Sequence, residues 1–152
     1  MKKALLLIDV QKYYVTERHL YSLSYIKNMI GAYSQKGLPI FCVTFGDPLG
    51  KSIVKDIKQK LDKAKGVWHF SKSNENGARE IKTAMSLRGL EAKEVRVDVC
   101  GFYTDICVLK TVSSLKKYGY KIVVHYDGTG SSSELTQASS IKKMKKMGIV
   151  IR

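Results

Sequence analysis

Two rhythms of apolar and polar positions alternate along this chain. Short continuous apolar runs fall at Ala4–Val10, Pro39–Phe45, Val67–Phe70, Val95–Gly101, Lys121–His125 and Ile149–Ile151. Such runs mark strands covered on both faces. Between them, apolar residues recur at helical spacing: Leu23, Ile26, Ile30 and Tyr33; Ile53, Ile57 and Leu61; Ala78, Ile81 and Met85; Val108, Leu109, Val112 and Leu115; and Leu135, Ala138, Ile141 and Met144. Each helical stretch is followed by a glycine (Gly37, Gly66, Gly89, Gly119, Gly148), the residue that best takes the left-handed conformation after a last turn. Six strands in strict alternation with five helices predict an α/β fold. We expect one domain over residues 1–152, doubly wound in three αβα layers, with a six-stranded parallel sheet and right-handed crossovers. Ligands in such folds bind beyond the carboxyl ends of the strands, where the strand order switches.

Two stretches place chemistry at those ends. Asp9 closes the first apolar run. In Val99-Cys100-Gly101-Phe102-Tyr103-Thr104-Asp105-Ile106-Cys107-Val108 the fourth strand enters a glycine turn and a helix opens, with Cys107 in its first turn. Unpaired N–H groups and the dipole at a helix start favour a thiolate, so Cys107 is a candidate nucleophile. Taken alone, it reads more readily as packing, since free cysteine is among the most buried residue types; the stretches around it shift that balance. Val10-Gln11-Lys12, not a glycine-rich loop, follows strand one, and GxGxxG and GxxxxGK[ST] are both missing, which speaks against dinucleotide and P-loop chemistry. Gly128-Thr129-Gly130-Ser131-Ser132-Ser133 reads as a loop and helix N-cap, with an anion cradle as the alternative. His19, His69 and His125 are scattered, and nothing has metal-ligand spacing.

Composition narrows the class. Apolar content of 44% with 26% charged residues is that of an ordinary globular domain. The apolar run after Lys2-Lys3 is too short for a signal peptide and is broken by Asp9; no run approaches a membrane span. Three cysteines without a CxxC pair point to a reducing, cytoplasmic setting rather than a disulfide framework. The formal net charge is +14, carried by lysine with only five arginines. These lysines spread over several helices with no aromatic-interleaved groove, so they read as solvated faces. Nucleic acid enters only through non-specific positive charge.

With Asp9-Val10-Gln11 after strand one and Gly101-Phe102-Tyr103-Thr104-Asp105-Ile106-Cys107-Val108 after strand four, the chain resembles the isochorismatase-like cysteine hydrolases, which include nicotinamidase-related amidases. Gly119-Tyr120 and Asp127 around strand five fit as well. The resemblance implies strand order 3-2-1-4-5-6 and an Asp-Lys-Cys triad. Asp9 and Cys107 match two members; Lys72, after strand three, matches the third by position, with a solvated loop lysine as its rival reading. It further implies an oxyanion hole from the backbone of Tyr103 and Cys107, a cis peptide at Phe102–Tyr103, and a pocket lined by Tyr13, Tyr14, Phe102 and Tyr103. Relatives carry metal-binding histidines after strand two; Gly46–Lys51 holds Asp47 and no histidine, so the expectation is no metal, no cofactor and a substrate other than nicotinamide. Relatives that cleave vinyl ethers generally lack the cysteine, so Cys107 favours amide chemistry. The implied partners are a small amide and further copies of the chain in a dimer or tetramer. The alternative is a catalytically silent module of the same fold that binds an anionic partner.

Overall fold

Strands β1 (Lys2–Ile8), β2 (Ile40–Phe45), β3 (Val67–Lys72), β4 (Val95–Phe102), β5 (Lys121–Gly130) and β6 (Val150–Ile151) pair in parallel throughout, in the order β3-β2-β1-β4-β5-β6. The structure is a computed structural model and describes residues 1–152. Helices α1 (Leu20–Gln35), α2 (Lys55–Lys63), α3 (Ala78–Ser86), α4 (Leu109–Lys117) and α5 (Glu134–Lys146) make the crossovers. The alternation of the sequence is therefore the alternation of the fold, and the strand order is the expected one.

The period-two geometry of β1 explains the layers. Leu5 and Leu7 face one way and pack with Ile26, Ile30 and Tyr33 of α1 and Ile57 and Leu61 of α2. Ala4, Leu6 and Ile8 face the other way and pack with Ile81 and Met85 of α3, Val112 and Leu115 of α4, and Ile141 and Met144 of α5. Each such aliphatic side chain contributes about 1.5–3 kcal/mol on full burial. The first two crossovers run to one side of β1 and the later ones to the other. Right-handed connections thus put α1 and α2 on one face and the remaining helices on the opposite face. The switch in direction lies between β1 and β4, and so the ends of those two strands frame the site.

Three details depart from the sequence expectation. β3 runs on to Lys72 instead of ending at Phe70. β5 does not stop at His125; a register shift against β4 between Val99 and Gly101 lets it bulge and continue to Gly130. A π-helical turn, Thr104–Val108, precedes α4, so Cys107 lies in this wider turn rather than in the first turn of an α-helix.

Candidate active site

Asp9 stands one residue past β1. Its N–H donates to the Val43 carbonyl at 2.9 Å, which extends the β1–β2 ladder by one bond. Its φ of +51° lies in the left-handed region, which a non-glycine residue adopts only where surroundings over-determine it. Gln11 supplies that constraint: its amide group accepts from Phe45 N–H at 2.7 Å and donates to Phe45 O at 3.2 Å and to Ser52 Oγ at 2.8 Å. The glutamine of the Asp-x-Gln element thus fastens the end of β1 to the loop after β2. It was quoted in the sequence motif without a role, because its partners lie more than thirty residues away.

Lys72 reaches Asp9 from β3, two strands across the sheet. Its ammonium passes 4.6 Å from the centre of the Phe45 ring and stops 3.0 Å from Asp9 Oδ2, with both side chains fully buried. Two further ammonium hydrogen bonds go to the carbonyls of Asn74 (2.9 Å) and Glu75 (3.1 Å). A buried ammonium needs such saturation. Lys72 is therefore a fixed internal cation and not a solvated loop lysine. The Lys72–Asp9 contact is an ion pair by distance, and the Cys107 thiol is the carboxylate's other neighbour.

Cys107 closes the constellation from the turn after β4. The turn is possible because Gly101, at φ +140°, lets the two backbones meet; a Cβ there would lie 2.0 Å from the Ile8 carbonyl oxygen. The Phe102–Tyr103 peptide is cis, as the resemblance implied. The electrostatics correct the sequence argument for an acidified thiol. Burial pushes Cys107 up to about 12, and the hydrogen bond to Asp9 and that carboxylate's negative charge push the same way, against a smaller opposing pull from Lys72. Asp9 is also raised by burial, with the Cys107 thiol and then the Lys72 ammonium easing its charge. Burial first, and then the anion beside the sulfur, outweigh the pull of the helix start. Burial and Asp9 thus both favour the proton on the thiol, and Asp9 is itself raised, with the Lys72 ammonium behind it.

The aromatic residues divide. Tyr14 is half-buried over the site. Burial raises its phenol, and the charges of Asp9 and Cys107 add to the rise. Its ring meets Tyr103 edge-on at 5.4 Å between centres. Two pocket assignments need correction. Tyr13 is 79% exposed and turns outward to a surface hollow with Asp47 and Lys51. Phe102 is fully buried in the α1–α2 core, with His19 against it at 5.1 Å. Tyr103, half-buried, packs at the margin of the same core, against Tyr14 and 6.3 Å from the same His19 ring, whereas Phe102 lies inside it. Asp9, Lys72 and Cys107 line none of the principal surface cavities, and the Tyr14–Tyr103 pair lies over the triad.

The place where relatives hold a metal is differently used. Ser52 N–H (2.7 Å), Ser52 Oγ and Lys51 N–H (3.1 Å) donate to the Asp47 carboxylate. Burial opposes ionisation there, yet these bonds hold Asp47 below the usual carboxylate range. His69 Nε2 lies 2.9 Å from Thr44 Oγ1. No group of three or more His, Cys, Asp and Glu side chains is placed to hold a metal ion. This donor set does not fit the metal of those relatives.

A second polar cluster escaped the sequence reading. Asp98, buried in β4, accepts from Tyr33 Oη and Arg96 Nη2 (3.0 Å), and His125 Nε2 lies 2.7 Å from it. His125 Nδ1 in turn meets Tyr25 Oη at 2.7 Å. Burial alone would raise Asp98; the three donors overcome it and hold the carboxyl at about 2. The network pins α1 to β4 and β5, on the opposite face of the sheet from Cys107's helix. A lone aspartate inside an apolar strand was its signal. The Gly128–Ser133 run does supply a cap, with Ser133 Oγ accepting from Thr136 N–H at 3.1 Å.

Comparison with known proteins bears on this geometry. A sequence profile of the isochorismatase domain matches residues 3–152. The secreted isochorismatase effector Isc1 of Phytophthora sojae is 27% identical over 125 residues, covering 81% of this chain; the chain spans only 58% of that relative's length. A nicotinamidase from Staphylococcus aureus superposes with a TM-score of 0.84 over 100% of both chains at 21% identity. The MAR1 ribonuclease of Caenorhabditis elegans gives 0.81 at 20% identity, over 98% of this chain and 75% of that one. At these identities the two structures establish a shared fold. No helix here is long and apolar enough to cross a membrane.

Proposed function

The chain belongs to the isochorismatase family, and on that premise we propose that it is a cysteine hydrolase of small amides or related C–N bonds, with Asp9, Lys72 and Cys107 as its triad. The observation that carries this reading is the buried Asp9–Lys72 ion pair at 3.0 Å against the Cys107 thiol. Three ionisable side chains gathered from the ends of three separate strands, stripped of water, are a costly arrangement for packing alone. Perturbed groups of this kind cluster at functional sites.

Each role follows from chemistry. Asp9, raised by burial, takes the thiol proton as Sγ attacks the amide carbonyl carbon. The carbonyl π electrons move to oxygen, and the backbone N–H groups of Tyr103 and Cys107 receive the oxyanion, each donor contributing about 3 kcal/mol. Collapse breaks the C–N bond, Asp9 returns its proton to the leaving nitrogen, and a thioester remains. Water, deprotonated by Asp9, attacks the thioester; the acid leaves and the thiol is restored. Lys72 balances the carboxylate and stabilises the charge-separated pair as the proton moves. Tyr14 and Tyr103 offer ring faces and edges to a planar acyl group. Further copies of the chain as dimer or tetramer, and a reducing cytoplasm for the three free cysteines, complete the reading. Exposed Leu20, Tyr21 and Leu135 support self-association.

A panel of small primary amides, followed by ammonia release, tests the reading. The wild type is expected to turn over at least one, with Cys107→Ala inactive and a thioester trapped at Cys107 by mass spectrometry. One observation favours the rival, a silent module of the same fold: the triad lies beneath aromatic side chains and opens into no principal cavity. No turnover across the panel, with Cys107→Ala unchanged in every other property, decides for the rival.

A further inference from the structure

The lysines that looked dispersed along the chain are gathered by the fold at one end. In a parallel α/β sheet every helix runs antiparallel to the strands, so each helix ends where the next strand begins. α2 ends on Lys60 and Lys63, α4 on Lys116 and Lys117, and α5 on Lys143, Lys145 and Lys146. The strand starts add Lys2, Lys3 and Lys121, and the connecting loops add Lys36, Lys65, Arg88 and Lys93. All fourteen side chains are exposed, and only three carboxylates, Asp62, Glu91 and Glu94, share that end. Two of those three are already paired, Asp62 with Lys58 and Glu94 with Lys2. An excess of eleven positive charges, out of a formal net +14, therefore sits at the strand-start end. Asp9 and Cys107 lie at the other end.

Helix dipoles account for part of this, since cations favour the last turn of a helix. They do not account for Lys2, Lys3, Lys65 and Lys121, which lie outside helices. Six strands at about 4.8 Å spacing make this end roughly 24 Å wide, enough to run along several successive phosphates of a nucleic acid strand. Tyr118, 42% exposed, follows α4 at the border of the cluster, its side chain lying against α3 beside Arg79 and Glu80 with Lys82 over the ring at 4.6 Å, so the lysines rather than a stacking platform carry the recognition. The cations are lysines with no bidentate arginine fork toward a base edge, which is backbone recognition without sequence readout. Exposed Met1, Leu87 and Met147 also lie at this end, as single side chains on separate elements rather than the continuous apolar helix face by which a protein beds into an anionic membrane.

We propose that the strand-start end of this protein is a sequence-independent docking surface for the phosphate backbone of single-stranded nucleic acid, remote from the triad and operating independently of it. The partner is held at one end while the candidate catalytic end faces away.

The test is fluorescence anisotropy of a labelled 20-nucleotide oligouridylate titrated with the full chain between 50 and 300 mM salt. The expected log–log salt slope is about −3 to −5, as for some four to seven phosphate contacts on a single strand. Reversing Lys116, Lys117, Lys143 and Lys146 together to Glu is expected to weaken binding at least tenfold and flatten the slope by about 3. The matched control, Lys12, Lys51, Lys55 and Arg79 to Glu, carries the same charge change at the opposite end and is expected to change affinity less than threefold. Equal losses in both variants would overturn the proposal by reducing it to net charge. So would a wild type that shows no salt-dependent retention, or one that binds phosphatidylserine vesicles but not the oligonucleotide. The outcome is separable from the hydrolase reading, because the four reversed lysines lie at the end away from the triad and their variant retains whatever amide turnover the wild type has.

Discussion

Asp9→Asn is expected to make the Cys107 thiol more acidic while abolishing hydrolysis. The thiol sits at about 12 in the wild type, above an ordinary 9.0, and after burial the next two causes are both Asp9: its hydrogen bond and its negative charge. The amide of asparagine keeps the shape and removes the charge, and Lys72 is then left uncompensated beside the sulfur. A like charge at contact distance moves a pKa by about 1–3 units. The thiol should fall by that amount, and thiolate at a fixed pH below both values should rise about 10- to 1000-fold. The assay is iodoacetamide alkylation from pH 6 to 11, with each cysteine followed by peptide mass spectrometry. Cys100, fully buried and raised by burial and then by the Asp98 charge, serves as the internal reference that should not move comparably. Lys72→Met should shift the Cys107 profile the other way, since the ammonium is what pulls it down. An Asp9→Asn profile at or above the wild-type pH would refute the reasoning: the carboxylate would then not be the anion holding the proton on sulfur.

The ion pair itself is open to a double-mutant cycle. Lys72→Met alone leaves a buried carboxylate unpaired and should cost about 3–5 kcal/mol in urea unfolding, whereas Asp9→Asn with Lys72→Met should recover most of that loss. Asp98 predicts acid sensitivity. Its folded value near 2 is below its ordinary 3.8, so its contribution of about 2 kcal/mol is present above pH 4 and is lost as pH falls through 2. Asp98→Asn should be less stable at pH 7 and flatter between pH 4 and 2, measured by denaturant unfolding across that window. Gly101→Ala should cost at least about 3 kcal/mol, because its Cβ would lie 2.0 Å from the Ile8 carbonyl oxygen; an unchanged melting temperature would contradict the turn geometry. Tyr14→Ala should speed alkylation of Cys107 and Tyr13→Ala should not, since only Tyr14 faces the triad.

The elements were legible in the sequence because each states its own period. Buried parallel strands are continuously apolar, helices repeat near 3.6, and glycine ends every helix; the five glycines after the helices all have positive φ. The switch point was legible too, because crossover handedness leaves few topologies. What was not legible is direction and distance at the site. Lys72 could be placed only by position, since nothing local shows that a side chain from the edge strand passes Phe45 to meet a carboxylate after the central strand. The acidity of Cys107 was misread for the same reason. The dipole of a helix start is a local property, but Asp9, the anion that outweighs it, lies 98 residues earlier. Phe102 and Tyr103 are adjacent and aromatic, and only the packing of the turn tells that Phe102 is buried in the core while Tyr103 stays half-exposed at its margin. Asp98 carried a readable signal, a charge amid valines, and its partners Tyr33 and His125 lie on elements that no spacing links.

The same limit hid the charge distribution. Lysine at a helix C-terminus is a local preference of a few tenths of a kcal/mol, and along the chain it looks like solvated scatter. The parallel fold repeats the βα unit, and each repeat returns its helix end to the same edge. A weak preference is thereby summed into a field across the whole molecule. The excess of positive charge comes to lie a full strand length from Asp9, and the triad is left with Lys72 as its own buried cation. At physiological ionic strength the screening length is about 8 Å, whereas a six- or seven-residue strand spans about 20 Å. The field of the lysine end is therefore largely screened at the triad. Across solvent the lysine end adds little to a site that Lys72 already governs at contact distance, which fits a docking role for that charge at the other end.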